Sequence, residues 1–493
     1  MVKQKSLSNF IERGELVKQL NVKLSKILVN PNYKVEEKPA IDFLTCSRLD
    51  LVPKIVYAKW MMGRIDSDYA KKLYLSHIAT INGYVEADGS GKVGKEAFIN
   101  SFNKLIENVL IDGLSKNYPV PISGTGILDG AHRTAIAIAL NLDLPTVELN
   151  CRPHNIGYKE LSFGGLDSNQ LDYIVLQYCL LKPNTRLVFI WPSAIGCMSQ
   201  LENILEKYCQ IIYRKEIVFS ENGQKNIIRL AYSKEDWLGS YEDGFIGAKN
   251  KARWCFDQPG PAVIYVVEST GDLFAMKNEV RSLFGIGKHS IHINDTHQET
   301  VELSKYLLNA NGVTFINNHT PEKFTWFSTL FEHYKQWLIT SGLDCEDFCI
   351  EGSAVMSAFG IREARDLDFV ARKGINVSAG YKEIDCNKAA PLEYRCTLDE
   401  LIYNPDNYFY IDGYKAVSIT RLMEKKKARA EEKDLVDVSL IEAKLSGLPV
   451  RRVTISLRDL FKVSRLKYIL KFFALKIRFR LYKFFRRIKS ACL

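Results

Sequence analysis

Two aspartates separated by one residue, Asp366 and Asp368, are the side chains of this sequence best suited to hold a metal ion. They stand in the stretch DLDFV, which predicts a strand. Because side chains two residues apart in a strand point to the same face, the two carboxylates are expected to project together. Neighbouring carboxylates repel each other unless a cation lies between them, and such oxygen ligands suit Mg²⁺, which also binds phosphate oxygens. The pair therefore predicts metal-assisted phosphoryl or nucleotidyl transfer.

A glycine and a serine, Gly352 and Ser353, precede this pair and open a short helical segment. A small residue and a hydroxyl at this point let backbone N–H groups approach a phosphate. The order strand, Gly-Ser, short helix and Asp-x-Asp strand resembles the DNA-polymerase-β-like nucleotidyltransferase superfamily, over roughly residues 330–448. The resemblance implies Mg²⁺ or Mn²⁺ bound by Asp366 and Asp368, an NTP as substrate, and triphosphate contacts from Gly352 and Ser353.

The same resemblance implies two further features downstream. A basic helix with a Lys-Asp pair is matched by Lys433 and Asp434. A third carboxylate on a later strand acts in this superfamily as the base toward the acceptor hydroxyl. Asp385 and Asp412 both fit that role, and the sequence leaves the choice between them open.

Two arginines, Arg362 and Arg365, flank the predicted site. They either contact phosphates or pair with Glu363, and the phosphate role is favoured for Arg362. The alternative for the whole constellation is a solvated turn at DLD and an ordinary loop at Gly-Ser, because short motifs give false positives. The order of the motifs in a strand–helix–strand context favours the transferase interpretation.

The segment GILDGAHRTAIAIALNL, residues 126–142, predicts a strand, a tight turn and an apolar helix. Asp129 and Gly130 form the turn, and His132 and Arg133 fall in the first helical turn, where free N–H groups and a guanidinium would converge on an anion. This segment resembles the phosphate-binding turn of the ParB/sulfiredoxin-like fold, over about residues 50–150, and implies a nucleotide- or phosphate-binding domain. The alternative is a buried His132 satisfied by the backbone and an Arg133 paired with Asp129.

A histidine-rich segment, KHSIHINDTHQET, follows the middle strands. His289 and His292 are three residues apart and point to opposite faces of a strand, which fits a shared metal site poorly. Asp295 and Thr296 precede a helical pattern with Glu299 at capping-box spacing. A phosphate- or substrate-binding loop is preferred to a metal site, and a structural helix cap is an equal alternative. Candidate anion partners are Lys251, Lys277 and Arg281.

The C-terminal segment 455–493 contains 12 Lys and Arg residues and one Asp, so the whole net charge of +10 belongs to it and the rest of the chain is nearly neutral. Its apolar residues recur every three or four positions, which predicts a cationic amphipathic helix. Such a helix suits an anionic membrane surface, with a calmodulin-like or nucleic-acid partner as the alternative. Because the body is neutral, nucleic acid is the less favoured partner.

The 493 residues are too many for one hydrophobic core, so several domains are expected. The patterns predict an α/β and α+β multidomain chain: a ParB/sulfiredoxin-like domain (1–155), a central α/β domain of unknown type (156–320), a nucleotidyltransferase-like mixed sheet with helices (321–450) and a basic amphipathic helix (451–493). Within the first domain, LDLVPKIVYAKW predicts a short strand.

Composition narrows the function classes. Eleven cysteines without CxxC pairs favour reduced thiols, and neither a signal-peptide core nor an apolar run of about 18 residues is present. The sequence therefore predicts a cytoplasmic nucleotidyltransferase, peripheral at the inner face of the membrane, acting on a small phosphorylated or hydroxylated acceptor such as a surface-polysaccharide precursor. The alternatives are a ParB-like nucleotide- and DNA-binding regulator with a degenerate transferase domain, and a toxin-type nucleotidyltransferase that modifies protein or tRNA.

Overall fold

The structure, a computed structural model, describes residues 10–447 apart from 64–66, 87–90, 195, 321 and 376–379. Within this part the chain is a mixed α/β protein with three sheets, each of which takes its strands from one of the predicted segments. The basic segment 455–493 and its predicted amphipathic helix lie outside the described residues.

The first unit is built around a five-stranded mixed sheet. Its helices and strands are β1 (Phe10–Glu12), α1 (Arg13–Gln19), α2 (Val22–Ser25), β2 (Asn32–Pro39), α3 (Leu51–Met61), α4 (Asp68–Asn82), α5 (Lys95–Asp112), β3 (Val120–Ser123), β4 (Gly126–Ile127), α6 (Ala131–Leu140), β5 (Asp143–Glu148) and α7 (Tyr158–Phe163). The strand order is β1-β2-β5-β3-β4, in which β3 and β5 are parallel and the other pairs antiparallel. The strand, turn and helix predicted at residues 126–142 are confirmed.

The strand predicted at LDLVPKIVYAKW is wrong, because this stretch forms the helix α3. Every residue from Leu51 to Ala58 is buried, so the run shows neither strand alternation nor a polar helix face. A short apolar run buried on all sides cannot be assigned by periodicity. Pro53 lies in the first turn of α3, where the helix needs no N–H donor.

The middle unit contains a four-stranded sheet of order β7-β8-β6-β9. Its helices and strands are α8 (Ser168–Leu181), β6 (Thr185–Ile190), α9 (Met198–Tyr208), β7 (Cys209–Ile217), α10 (Glu221–Ala231), α11 (Ile246–Cys255), β8 (Ala262–Ser269), α12 (Leu273–Phe284), β9 (Ile291–Ile293), α13 (His297–Leu307) and α14 (Ala310–Asn318). All of its strand pairs are antiparallel. The sequence predicts an α/β domain here, but the arrangement is α+β, since alternation of helices and strands along the chain does not fix the direction of strand pairing.

The third unit contains a five-stranded mixed sheet of order β12-β11-β10-β14-β13. Its helices and strands are α15 (Thr325–Ser341), β10 (Phe348–Glu351), α16 (Ser353–Ala358), β11 (Leu367–Ala371), β12 (Ile384–Cys386), α17 (Ala390–Tyr394), α18 (Leu398–Tyr403), β13 (Tyr408–Ile411), β14 (Tyr414–Val417), α19 (Ile419–Arg429) and α20 (Glu432–Leu445). β10 is antiparallel to β11 and parallel to β14, and β11 is parallel to β12.

The three units share one continuous buried core, which includes Tyr57 of the first unit, Trp191 of the second and Phe369 of the third. The units are therefore packed on one another, and the predicted boundaries between them stay predictions. Among the described helices, none is both long enough and apolar enough to cross a membrane.

Candidate metal and phosphate site

Asp366 and Asp368 stand at one end of the third sheet. Asp368 belongs to β11, and Asp366 immediately precedes that strand. The intervening Leu367 and the following Phe369 are fully buried, whereas Asp366 is exposed and Asp368 partly exposed. Strand alternation thus turns both carboxylates away from the core.

The Gly-Ser turn meets this pair because β10 and β11 are antiparallel, with Glu351 at the end of β10 directly opposite Asp368. Gly352 has φ +68°, a left-handed conformation that favours glycine, and a Cβ there would lie 3.0 Å from Asp368 Oδ2. The Ser353 hydroxyl donates a hydrogen bond to Asp366 Oδ1 at 3.2 Å. The turn is therefore in direct contact with both carboxylates.

The charges around Asp368 suit a cation. Burial, followed by the neighbouring Glu351 and Asp366, raises the pKa of Asp368 to about 6. Of the nearby cations, Arg362, Lys425, Lys426 and Arg429 are paired with acids other than Asp366 and Asp368. Within the described ranges no set of three or more His, Cys, Asp or Glu side chains is close enough to hold a metal ion. Two carboxylates nevertheless fit Mg²⁺, which usually takes its other ligands from substrate phosphates and water.

The two candidates for the third carboxylate lie at opposite ends of the sheet. Asp385 on β12 is the register partner of Asp368 across a parallel strand pair, is exposed, and helps to raise the pKa of Asp368. Asp412 lies in the turn between β13 and β14, where its backbone N–H donates to the Tyr306 hydroxyl at 2.7 Å. Because β14 runs parallel to β10, the turn that precedes β14 is remote from Gly352, which follows β10. The structure brings Asp385, and not Asp412, to the pair.

Glu351 was missed by sequence reasoning. It is fully buried and accepts hydrogen bonds from Lys425 Nζ at 2.7 Å, the Tyr394 hydroxyl at 2.8 Å and Asn387 Nδ2 at 2.6 Å. This network fixes α19 against the end of β10, beside Asp366 and Asp368. The sequence signal for Glu351 is its position as the one carboxylate at the end of the otherwise apolar strand FCIE. A carboxylate buried there requires a hydrogen-bonding or charged partner.

The site opens into a cavity of 540 Å³ with a basic wall. Its cationic lining residues are Arg362, Arg365, Lys425, Lys426, Arg429 and Lys433. Most of these charges are already neutralised within the protein. Lys425 pairs with Glu351 and Glu393, each at 2.7 Å.

The two residues of the Lys-Asp pair, Lys433 and Asp434, have different surroundings. Asp434 is fully buried and accepts from Arg429 at 2.7 and 2.8 Å and from Lys426 at 3.3 Å, so it holds α19 and α20 together. Lys433 is exposed, lies 3.1 Å from Glu431 and lines the cavity.

The two arginines also differ. Arg362 forms a two-pronged ion pair with Asp437, with donor–acceptor distances of 2.7 and 2.8 Å. The alternative that it pairs with the Glu363 carboxylate is wrong, since its guanidinium reaches only the Glu363 carbonyl, at 3.3 Å. Arg365 is exposed and lines the cavity, and its side chain forms no ion pair with a described residue. Arg365 is therefore the arginine with donors available to a phosphate.

In the predicted anion-binding turn of the first unit, the side chains of Asp129, His132 and Arg133 form hydrogen bonds with other groups of the protein. His132 shares a hydrogen bond of 3.0 Å with the Tyr74 hydroxyl and packs edge-on against Phe102, and burial holds its pKa well below the usual range. Arg133 donates to the carbonyl of Tyr118. Asp129 accepts from the Gly130 N–H at 2.6 Å. The alternative of a buried His132 satisfied by the backbone and an Arg133 paired with Asp129 is wrong, because His132 is only partly buried and shares its hydrogen bond with the Tyr74 hydroxyl, and Arg133 donates to the Tyr118 carbonyl.

A buried charged network lies behind this turn, and the sequence did not indicate it. Asp50 accepts from Arg48 at 2.7 and 3.0 Å and from Lys54 Nζ at 3.0 Å. Lys54 Nζ is also 3.4 Å from His77 Nε2. All four side chains are buried, so these contacts are among the strongest polar restraints within the first unit.

The histidine-rich segment is partly a helix cap. Thr296 accepts from the Glu299 N–H at 3.2 Å, and the Glu299 carboxylate accepts from the Thr296 N–H, so the predicted capping box is confirmed. His297 Nε2 lies 2.7 Å from the Cys179 carbonyl. His289 and His292 take no part in this cap. His289 lies beside Lys251, and His292 lies beside Tyr232.

Comparisons with models of known protein families, with curated proteins and with solved structures find no match for this chain.

Proposed function

We propose that this protein is a Mg²⁺- or Mn²⁺-dependent nucleotidyltransferase that uses an NTP and a small phosphorylated or hydroxylated acceptor. The observation that carries the proposal is the shared position of Asp366 and Asp368. Both carboxylates line a 540 Å³ cavity beside Gly352, and the lysines Lys425 and Lys426 there are paired with other acids. Such a pair would suit a hard cation that supplies charge neutralisation at a triphosphate.

The metal would be held by Asp366 and Asp368 and would supply neutralisation of negative charge at the triphosphate. Asp385, one strand away from Asp368, is positioned to accept the proton of the acceptor hydroxyl. The acceptor oxygen then forms a bond to the α-phosphorus, the bond between that phosphorus and the β-bridging oxygen breaks, and pyrophosphate leaves. Asp412, at the other end of the sheet, has no part in this step.

We assign phosphate binding to cations whose N–H donors are not all used in ion pairs within the described part of the protein. Arg365 has an exposed guanidinium, and Lys433 is an exposed cation held only by Glu431. Arg362, Lys426 and Arg429 act mainly through their carboxylate partners, which position α19 and α20 around the cavity. The turn formed by Gly352 and Ser353 lies close to the carboxylates of Asp366 and Asp368.

The remaining parts of the sequence-based hypothesis have less support. A second phosphate-bearing ligand at Asp129–Arg133 stays a prediction, because burial holds the pKa of His132 well below its usual range, which disfavours the charged form that would attract a phosphate. Peripheral membrane attachment through residues 455–493 stays a prediction as well, and with it the surface-polysaccharide precursor. The position of Asp385 as the register partner of Asp368 favours an active transferase over a regulator with a degenerate domain.

Pyrophosphate release from each NTP, with Mg²⁺ and a panel of sugar phosphates, tests the proposal. We expect release by the native protein, loss in Asp366→Asn/Asp368→Asn, and full activity in the control Asp412→Asn. Equal release by the native protein and the double variant would rule the site out. Transfer of the label from α-³²P NTP to protein or tRNA, but to none of the small acceptors, would point to the toxin-type alternative.

A further inference from the structure

A cavity of 330 Å³ beside α13 is lined by described residues that all differ from those of the transferase site. One of its walls is a single face of α13, and the others come from the turn after α10, from β9 and from the turn before β14. Helical spacing places the lining residues of α13 side by side: Glu299, Glu302, Leu303 and Tyr306. The fold thus gathers side chains from four segments around one space.

Negative charge dominates this lining. One cation, Lys234, stands against five carboxylates, which are Glu235, Asp295, Glu299, Glu302 and Asp412, so the lining has a net charge of −4. His292 also lines the cavity but does not reduce this charge. Burial, and then Lys277, lower the pKa of His292 to about 3, although Asp295 and Glu299 oppose the shift. The imidazole is therefore neutral at pH 7.

Two of the five carboxylates lack a cationic partner. The other three have a cation nearby: Glu299 lies 2.6 Å from Lys234, Asp295 lies 3.2 Å from Lys277, and Asp412 is close enough to Arg229 to interact with its charge. Glu235 accepts a hydrogen bond from Trp237 Nε1 at 3.0 Å, and Glu302 accepts one from Gln298 Nε2 at 2.8 Å. Both donors are neutral, so the charges of Glu235 and Glu302 remain uncompensated among the described residues.

The other polar groups of the lining also suit a cation. His292 Nε2 is fully buried and has no hydrogen-bond partner among the described residues, although buried polar atoms nearly always have one. A neutral imidazole can accept a hydrogen bond from an ammonium group, whereas a charged imidazolium would repel it. The rings of Tyr232 and Tyr306 line the same space, and the face of an aromatic ring attracts an ammonium group.

The spacing of the carboxylates favours an extended organic cation over a metal ion. Within the described ranges no three His, Cys, Asp or Glu side chains lie close enough together to hold a metal ion, so these acids surround the cavity and do not converge on one point. Leu230 and Leu303 give the lining an apolar part. Ammonium groups joined by short methylene chains match this mixture of carboxylates, rings and apolar side chains. The volume is that of a small-molecule site.

We propose that this cavity binds a small aliphatic polyamine, with Glu235 and Glu302 as the partners of two of its ammonium groups. Walls on several sides strengthen the field of the carboxylates relative to an open surface, which favours a multiply charged ligand over a single charge. The bound amine also relieves the repulsion between the uncompensated acids. The site is separate from the Asp366–Asp368 pair and does not depend on the transferase proposal.

Calorimetric titration of the full chain with spermidine tests this site, with Mg²⁺ present to compete for carboxylates outside the cavity. Glu235→Gln/Glu302→Gln removes both proposed partners. Glu206→Gln/Glu221→Gln is the matched control, because it removes two exposed carboxylates of the middle unit that lie outside the cavity and changes the net charge equally. We expect spermidine to bind at least about tenfold more weakly to the first double variant and within about twofold of native affinity to the control. n-Butylamine, with one ammonium group, should bind at least about tenfold more weakly than spermidine.

The proposal is overturned if the native protein does not bind spermidine, if Glu235→Gln/Glu302→Gln binds it with native affinity, or if n-butylamine binds equally well. Equal weakening in both double variants would also overturn it, because net charge and not the cavity would then attract the amine. Thermal unfolding without ligand separates binding from folding. Glu235 and Glu302 are exposed, so their replacement should leave the melting temperature unchanged or higher.

Discussion

Asp368 and Asp385 are register partners on the adjacent parallel strands β11 and β12. Their side chains therefore stand on the same face of the sheet, and Asp385 adds to the negative charge that raises the pKa of Asp368. Asp412 lies at the far end of the same sheet. This relationship places Asp385, and not Asp412, beside Asp366 and Asp368.

We expect Asp385→Asn to reduce nucleotidyl transfer by about 10²- to 10⁴-fold while Mg²⁺-dependent NTP binding is retained, because a general base acts on the acceptor hydroxyl and not on NTP affinity. Asp412→Asn is the matched control and should transfer at the native rate. Rates of pyrophosphate release and equilibrium binding of NTP separate the two effects. Loss of activity in Asp412→Asn with full activity in Asp385→Asn would reverse the assignment.

Gly352→Ala should impair the site as well as the fold. The left-handed conformation costs about 1 kcal/mol or more for alanine, and the added Cβ would lie 3.0 Å from Asp368 Oδ2. Gly374→Ala is the control, because Gly374 also has positive φ but nothing within 4 Å of its Cβ position. Both variants should melt at lower temperature, and only Gly352→Ala should weaken Mg²⁺-dependent NTP binding. Equal NTP binding by both would mean that the turn does not set the position of Asp368.

Asp368 and Glu351 face each other across β10 and β11 but should respond oppositely to loss of charge. Asp368→Asn removes repulsion from Glu351 and Asp366, so we expect a higher melting temperature without metal and no further increase on adding Mg²⁺. Glu351→Gln leaves the buried Lys425 with Glu393 as its remaining carboxylate partner, and the free energy of unfolding should fall by roughly 1–3 kcal/mol. Thermal and urea unfolding with and without Mg²⁺ measure both effects. A metal-free Asp368→Asn protein less stable than the native one would contradict the repulsion.

The parts of this structure that the sequence predicted correctly depend on short-range patterns. The alternation of Leu367 and Phe369 with the two aspartates follows from strand geometry, and the capping box of Thr296 and Glu299 follows from a three-residue spacing. Both are local, so no knowledge of the tertiary fold was needed.

The features that the sequence did not predict depend on long-range packing. The inward direction of His132 is set by Tyr74, 58 positions away, and the role of Glu351 is set by Lys425, 74 positions away. The choice between Asp385 and Asp412 required the strand order of the sheet. The sequence predicts a strand at α3 because residues 51–58 are all apolar enough to be buried, or are buried as Lys54 is, and that burial is a property of the neighbouring elements.

Lys444 should make the stability of the protein depend on pH in a predictable direction. Burial, and then Lys323 and Lys225, lower its pKa from 10.5 to about 8, so the unfolded chain holds this proton more tightly than the folded one. The contribution of Lys444 is therefore unfavourable below pH 8 and disappears as the pH rises from about 8 to 10.5. Lys444→Met should be more stable than the native protein at pH 7 in urea unfolding, with a smaller advantage at pH 10. Lys427→Met, which removes a half-exposed lysine paired with Glu442, should show no such pH-dependent difference. An advantage of Lys444→Met that stays constant from pH 7 to pH 10 would show that its cause is packing and not charge.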